Sequence, residues 1–400
     1  MSEAYIVSAC RTPFGKYGGV LKDVRPDDMA ALVIKEAVRR ANIDVNEIDD
    51  VIIGCANQAG EDNRNIGRMG VLLAGLPERV PGVTVNRLCG SSLESIIQSA
   101  RAIKAGEADI IVAGGVESMT RAPYSLPKNV SGAALFGNLT AYDTALGWRY
   151  PNAKMEAMFP LESMGETAEN VAEQWKVSRE DQDAFAYESH QRAIRAQETG
   201  EFNEEIVAVE IAQKKGDPIV ISKDEQPRKD TSLEKLSQLK PAFRKGGSVT
   251  PGNSSSLNDG ASAVVLVSEK VLKQLGIDPL GRYVTSATEG VSPRCMGVGP
   301  VYAVRKMLER AKLTTNNIDL YELNEAFASQ SLAVIHDLGL DTSRVNPNGG
   351  AIAIGHPLGA SGGRLVATLL NQMKRKNVKR GVATMCIGVG QGIAAMFERD

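Results

Sequence analysis

The amino-acid sequence predicts an α/β protein of two similar halves with a polar segment inserted between them. Three observations carry that prediction: apolar runs of strand length alternate with stretches of helical periodicity, their order is repeated once, and residues from Arg121 to about Ser248 break the rhythm. Equivalent loops of two such halves are expected to meet at a seam, and seams are where sites form.

The first half opens on the strand Tyr5-Ile6-Val7-Ser8-Ala9, so close to Met1 that no signal or transit peptide is expected. A helix follows, with Met29, Leu32, Val33, Ala37 and Val38 on one face, and then the apolar strand Val51-Ile52-Ile53-Gly54. A third strand, Val83-Thr84-Val85, runs into Asn86-Arg87-Leu88-Cys89-Gly90-Ser91-Ser92. Beyond it Leu93, Ile96, Ile97, Ala100 and Ile103 have helical spacing and Gly106 is a stop, so Cys89 falls at a helix start. Unpaired N–H groups and the positive dipole end favour a thiolate there, although a free cysteine is also among the most commonly buried residues. Ala108 to Gly115 reads as a fully buried strand.

From Tyr283 the pattern returns. Tyr283-Val284-Thr285-Ser286-Ala287 echoes Tyr5 to Ala9, Met307 to Asp319 lies over Ala37 to Asp49, Val345-Asn346 repeats Val85-Asn86, and Gly381 to Gly388 stands where Ile110 to Gly115 stood. The polar interval between the halves holds proline- and asparagine-rich turns and a long polar helix expected from Thr167 through Arg195, its charges mostly facing outward. The chain returns through Val249 to Gly260 into a buried strand at Ala261 to Val267. The predicted division is 1–120, 121–248, 249–270 and 271–400.

Composition narrows the function. The 400 residues are 43% hydrophobic, with 46 basic and 48 acidic side chains and a net charge of -2, so no broad basic field points to nucleic acid or an anionic membrane. No apolar run is long enough to span a bilayer. Five scattered cysteines without a CxxC pair argue against a disulfide framework and a structural zinc site, which makes a reducing cytoplasm the expected compartment.

Three histidines shorten the search for a base. His190 and His336 read as ordinary helix-face residues. His356 lies in Asn346-Pro347-Asn348-Gly349-Gly350-Ala351-Ile352-Ala353-Ile354-Gly355-His356-Pro357-Leu358-Gly359, where glycines are expected to let the backbone approach a ligand. Cys386 ends the last strand before Gly388-Val389-Gly390, and Asn324-Glu325-Ala326-Phe327 follows the strand Leu320-Tyr321-Glu322-Leu323. One half therefore brings Asn324, His356 and Cys386 on three strand-end loops.

These motifs, with Gly114-Gly115-Val116-Glu117-Ser118-Met119 and Gly252-Asn253-Ser254-Ser255, together resemble the thiolases, coenzyme-A-dependent enzymes that cleave or form 3-ketoacyl thioesters. The resemblance runs from Tyr5 to Glu398. It implies the thiolase fold, two βαβ-rich halves in a five-layered αβαβα core with an inserted loop domain. It also implies that Cys89 attacks the substrate and carries the acyl group, that His356 takes the thiol proton, and that Cys386 acts as acid or base at the α-carbon. One oxyanion would be met by His356 with a water held by Asn324, the other by the backbone N–H groups of Cys89 and Gly388.

By the same resemblance coenzyme A is a co-substrate, with no permanently bound cofactor and no metal, and its contacts carry over to Arg228, Phe243, Ser255, Met164, Met296 and Ala326. Acyl-CoA and CoA are the implied partners of a homodimer or homotetramer, with tetramer contacts at the loop from Tyr124 to Leu146. Ser163 stands where short-chain biosynthetic members have a histidine before the methionine, which weakens a purely acetoacetyl-CoA-forming reading. Cys386 speaks against a decarboxylating condensing enzyme, and the three reactive side chains together speak against a non-catalytic acyl-CoA or lipid carrier. The reaction expected is thiolysis of 3-ketoacyl-CoA to acyl-CoA and acetyl-CoA. Gly54 to Asn65 and Gly147-Trp148-Arg149-Tyr150 resemble the 3-oxoadipyl-CoA thiolases of aromatic degradation, whose substrate ends in a carboxylate and requires a basic group, for which Arg149 is a candidate.

Overall fold

In the first strand, side-chain alternation sets the layering of the whole molecule. In β1 (Ala4–Arg11) Ala4, Ile6 and Ala9 face one core while Val7 and Cys10 face another, the parity changing at a bulge between Ile6 and Ser8. The structure is a computed structural model that describes residues 2–128 and 138–399.

The first half contributes β1, β2 (Asp50–Gly54), β3 (Val83–Val85), β4 (Ile110–Ser118) and β5 (Asn258–Ser268). The second contributes β6 (Gly281–Gly290), β7 (Leu320–Leu323), β8 (Arg380–Ile387) and β9 (Gln391–Glu398). They hydrogen-bond in the order β7-β8-β9-β6-β1-β5-β4-β2-β3, the ladders of the two halves being joined by Tyr5 opposite Arg282 and Ile6 opposite Gly281. The repeat read from the sequence is a repeat of topology. β2 is parallel to β4 as β7 is to β8, β5 and β9 are antiparallel to their neighbours, and Val345 makes a parallel bridge to Tyr321 where β3 pairs with β2.

Helices fill the faces. α1 (Pro26–Ala41) and α2 (Ile66–Leu73) lie on the first half, α6 (Gly299–Ala311) and α7 (Ala328–Leu338) on the second, with α3 (Ser91–Ala105) and α8 (Leu358–Lys376) between the strands of the two halves. This is the five-layered αβαβα arrangement. Equivalent helices stop alike, α1 at Asn42 (φ 51°) and α6 at Lys312 (φ 55°), both in the left-handed region.

The central helix α8 is buried without a break from Gly359 to Met373, with Leu358 half-covered and Lys374 to Lys376 exposed. Leu365, Val366, Leu369, Leu370 and Met373 are fully covered, each contributing about 1.5–3 kcal/mol, which outweighs roughly 1 kcal/mol for each helical glycine. Those glycines are needed for close approach, since a Cβ on Gly362 would lie 2.4 Å from the backbone nitrogen of Leu93 on α3. Here the structure corrects the sequence reading: Gly355 packs on Asn258, Gly359 on Val116 and Gly362 on Leu93, so the glycines around His356 bring protein layers together and not a ligand.

The inserted segment differs from expectation as well. The single helix predicted from Thr167 to Arg195 is two, α4 (Met164–Gln174) and α5 (Arg179–Glu198), broken where Lys176 adopts φ 55°. Its charges do not all face water. Glu169 is buried and accepts the N–H groups of Ser248 and Val249, and Asp183 is buried against Arg179 and Asn253. Arg11 of β1, with no exposed surface, ties the insertion to the core through Glu205 (2.7 Å) and Asp224 (2.7 Å), its guanidinium stacked between Phe14 and Phe202. Of the loop from Tyr124 to Leu146, residues 129–137 lie outside the described residues.

Candidate active site

The strand ends of both halves open on one cavity of about 470 Å3, mostly apolar, lined among others by Cys89, His356, Cys386 and Gly388. Cys89 lies one residue before Gly90, the N-cap of α3, as the sequence predicted. The turn that delivers it is strained, with Leu88 at φ 47°, and across the cavity Val389 sits at φ 65°, a conformation that a β-branched residue rarely adopts. Arg87 ties the two turns together, paired with Glu94 (2.9 Å) and donating to Gln391 (3.1 Å).

The expected low thiol pKa is not what this environment produces. Burial pushes the Cys89 thiol up to about 11. The N–H groups of Gly388 and of Cys89 itself reach the sulfur and pull the other way, while the Glu117 carboxylate adds to the rise. Desolvation outweighs the helix terminus, so Cys89 rests as a thiol.

His356 is fixed on every side. Its backbone N–H donates to Asn258 Oδ1 (2.9 Å), and its Nδ1 is 2.6 Å from Ser361 Oγ. Ser361 donates its own hydroxyl hydrogen to the Pro357 carbonyl (2.8 Å), so it accepts from Nδ1–H, and Nε2 is left with its lone pair. Asn324 Nδ2 stands 3.3 Å from that Nε2, as the donor such a lone pair requires. Burial, with the Arg364 guanidinium as a smaller cause, lowers the imidazole to about 3. Cys89 and His356 are thus both neutral at rest at neutral pH.

Asn324 is fully buried, its N–H bonded to Thr384 O (3.0 Å), and its Oδ1 has no partner among the described residues. Asn346 holds the loop from beneath, accepting from Leu323 N (2.8 Å) and donating to Leu323 O (2.8 Å) and Glu325 (2.8 Å). Cys386, also buried, has its thiol raised by burial and then by the neighbouring Cys89. Such a thiol is a proton donor matched to a strongly basic carbanion.

Of the residues transferred as coenzyme A contacts, Met164, Ser255, Met296 and Ala326 line the cavity. Phe243 stands outside the lining, edge-on to Phe327 (centroids 6.3 Å apart), which belongs to it. Arg228 is exposed and away from the cavity, its backbone N–H donated to the buried His190. Ser163 lines the wall and caps α4, accepting from Glu166 N.

Sequence reading missed Ser361, Asn258 and Glu117. A serine five residues after the histidine, on the first turn of a helix, was the available signal for the first. Glu117 was visible only as part of a motif. It is buried on the cavity wall, where it accepts the N–H groups of Ala56 (3.0 Å), Asn57 (3.0 Å) and Gly359 (2.8 Å), joining β2's loop to the start of α8. Burial raises its carboxyl to about 7 despite those donors, with Asp62 adding to the rise. Cys55, Asp62 and Glu117 are close enough together to hold a cation, but Asp62 is engaged by Gln58 and Gly60 N–H as Glu117 is by its three, so the cluster reads as a hydrogen-bonded clamp.

The family models for the thiolase N-terminal domain and the thiolase C-terminal domain match residues 4–270 and 277–399. This chain belongs to the thiolase family. It is an acyltransferase that acts on acyl-CoA thioesters. It is 56% identical, over all of both chains, to a β-ketoadipyl-CoA thiolase of Acinetobacter baylyi. Over the same full extent it is 53% identical to the 3-oxoadipyl-CoA/3-oxo-5,6-dehydrosuberyl-CoA thiolase of Escherichia coli K12. Among solved structures, human mitochondrial 3-ketoacyl-CoA thiolase in complex with CoA superposes with a TM-score of 0.92 at 39% identity, covering 100% of this chain and 98% of that one.

Proposed function

We propose that this thiolase cleaves 3-oxoadipyl-CoA with CoA to give succinyl-CoA and acetyl-CoA. Cys89 Sγ adds to the C3 carbonyl as its proton passes to His356 Nε2, and the oxygen that gains charge receives the N–H groups of Cys89 and Gly388. The C2–C3 bond then breaks. Its electron pair goes to C2 of the departing acetyl-CoA, Cys386 supplies the proton there, and Cys89 keeps the succinyl group as a thioester. The enolate oxygen of that step lies with His356 Nε2–H and a water held by Asn324, and the proton on His356 then restores Cys386. In the second half the thiol of CoA gives its proton to His356, attacks the thioester, and Cys89 leaves to be reprotonated.

Coenzyme A reaches Cys89 along Met164, Ser255, Met296 and Ala326, with Phe243 at the edge, and residues 121–248 serve as its loop domain. Arg228 keeps its assignment from resemblance alone. The observation that carries the reading is that both thiols and the imidazole line one cavity in a chain whose full-length relatives bear the names given above. The rival substrates are acetoacetyl-CoA and longer 3-ketoacyl-CoA thioesters. Thiolysis assays on a panel of acetoacetyl-, 3-oxohexanoyl-, 3-oxodecanoyl- and 3-oxoadipyl-CoA decide between them. The highest kcat/KM is expected for 3-oxoadipyl-CoA, and a preference for any other member overturns the substrate.

For assembly, β3 is a sheet edge with Val83, Leu72 and Leu73 exposed beside it, suited to pairing with a second copy. Tyr124, Leu126 and Leu139 are exposed as well, suited to joining two dimers. No described helix is long and apolar enough to cross a membrane. Five free cysteines fit a reducing cytoplasm.

A further inference from the structure

Among the described residues, Arg149 is the only arginine or lysine on the cavity lining. It is half-buried and, among the described residues, has no carboxylate within salt-bridge distance. The other charges on that wall are accounted for: Glu162 pairs with Arg294 (3.1 Å), and Glu117 is clamped by backbone N–H groups. A cation beside an otherwise apolar cavity, with no acid of its own, is a site for an anion that arrives with the substrate.

The guanidinium is also held in place. Its Nη1 donates to the Thr144 carbonyl (3.1 Å), and this is its one protein hydrogen bond among the described residues, which leaves the edge formed by Nε and Nη2 uncommitted. Thr144 is itself buried and fixed, its hydroxyl donating to Pro123 O (2.6 Å) and its carbonyl also accepting from Asn57 Nδ2 (3.0 Å). Asn57 in turn gives its N–H to Glu117. The guanidinium is therefore anchored by a chain of hydrogen bonds that ends at the same carboxylate which fixes the start of α8 after His356. Two parallel N–H donors on a rigid plane match a carboxylate.

We propose that Arg149 binds the terminal carboxylate of the acyl group, making this thiolase selective for 3-oxoacyl-CoA substrates derived from dicarboxylic acids. The inference rests on the substrate reading above and adds the residue responsible for it. In the succinyl group on Cys89 the carboxylate carbon stands three C–C bonds of about 1.5 Å from the thioester carbon, so the length of that spacer sets the register between nucleophile and cation. Mono-acids fill the same space without satisfying the charge.

The test compares 3-oxoadipyl-CoA with 3-oxohexanoyl-CoA, in which a methyl replaces the carboxylate, for wild-type, Arg149→Gln and Arg149→Lys proteins. The expected result is a wild-type preference for 3-oxoadipyl-CoA that falls about 100-fold, as a ratio of kcat/KM values, in Arg149→Gln. Arg149→Lys should restore part of it, since the charge returns without the fork. KM for CoA should not follow the ratio. An unchanged ratio in a folded Arg149→Gln protein overturns the assignment while leaving the substrate standing. Equal losses on both substrates with a raised KM for CoA assign Arg149 to CoA and overturn it too. A wild-type enzyme with no preference between the two sinks the substrate reading itself.

Discussion

Ser361 fixes the tautomer of His356. Its Oγ lies 2.6 Å from Nδ1 and spends its own hydrogen on the Pro357 carbonyl, so the imidazole keeps Nε2 as its basic nitrogen. Ser361→Ala removes that constraint and lets the ring populate the other tautomer. The expected outcome is a fall in kcat of about tenfold, or about 1.4 kcal/mol, with KM little changed, measured by steady-state thiolysis. A thermal unfolding midpoint close to wild type accompanies it. A raised KM at constant kcat would contradict the role given to Ser361.

Alkylation reports the state of Cys89 directly. With the thiol raised to about 11 by burial, thiolate is scarce at neutral pH and its fraction rises tenfold per pH unit up to that value. Inactivation of the free enzyme by iodoacetamide should therefore accelerate steadily from pH 7 to pH 10, in parallel with label on the Cys89 peptide. A rate that levels off below pH 8 would restore the thiolate that a helix N-terminus alone predicts.

Glu117 makes stability depend on pH. Its carboxyl is raised from 4.5 to about 7 in the folded chain, so the folded state holds a proton that the unfolded chain has lost. The associated stability, about 3 kcal/mol, is fully present below pH 4.5 and is lost as pH rises to 7. Urea unfolding of wild-type and Glu117→Gln proteins at pH 5 and pH 7.5 measures it. The variant should lose less stability between the two pH values than wild type, and an identical difference would remove Glu117 from the linkage.

The two halves, the seam and the groups carried to it were all legible in the sequence because a repeat of apolar periods is local information. Tyr5 and Tyr283 begin equivalent strands, and Val85-Asn86 and Val345-Asn346 occupy equivalent places beside β2 and β7. What the sequence concealed depended on partners distant along the chain. A helix start suggested an ionised Cys89, but Gly388, Glu117 and the burial that decide its pKa come from other loops. The glycines around His356 suggested a ligand, yet their neighbours are Asn258, Val116 and Leu93, each at least ninety residues away. Polar side chains in the insertion suggested a solvated face, and Glu169 and Asp183 proved to be internal acceptors. Arg149 was legible as a basic residue in a suggestive stretch; that it lines the cavity without an acidic partner was not.

The central claim is that Cys89 carries the acyl group while Cys386 handles the proton. Mixing the enzyme with 3-oxoadipyl-CoA in the absence of CoA confines it to the first half-reaction. The account predicts one equivalent of acetyl-CoA released per active site and, by mass spectrometry of the acid-quenched, digested protein, a succinyl thioester on the peptide containing Cys89. A succinyl group on Cys386, or release of acetyl-CoA with no acylated cysteine, would contradict it.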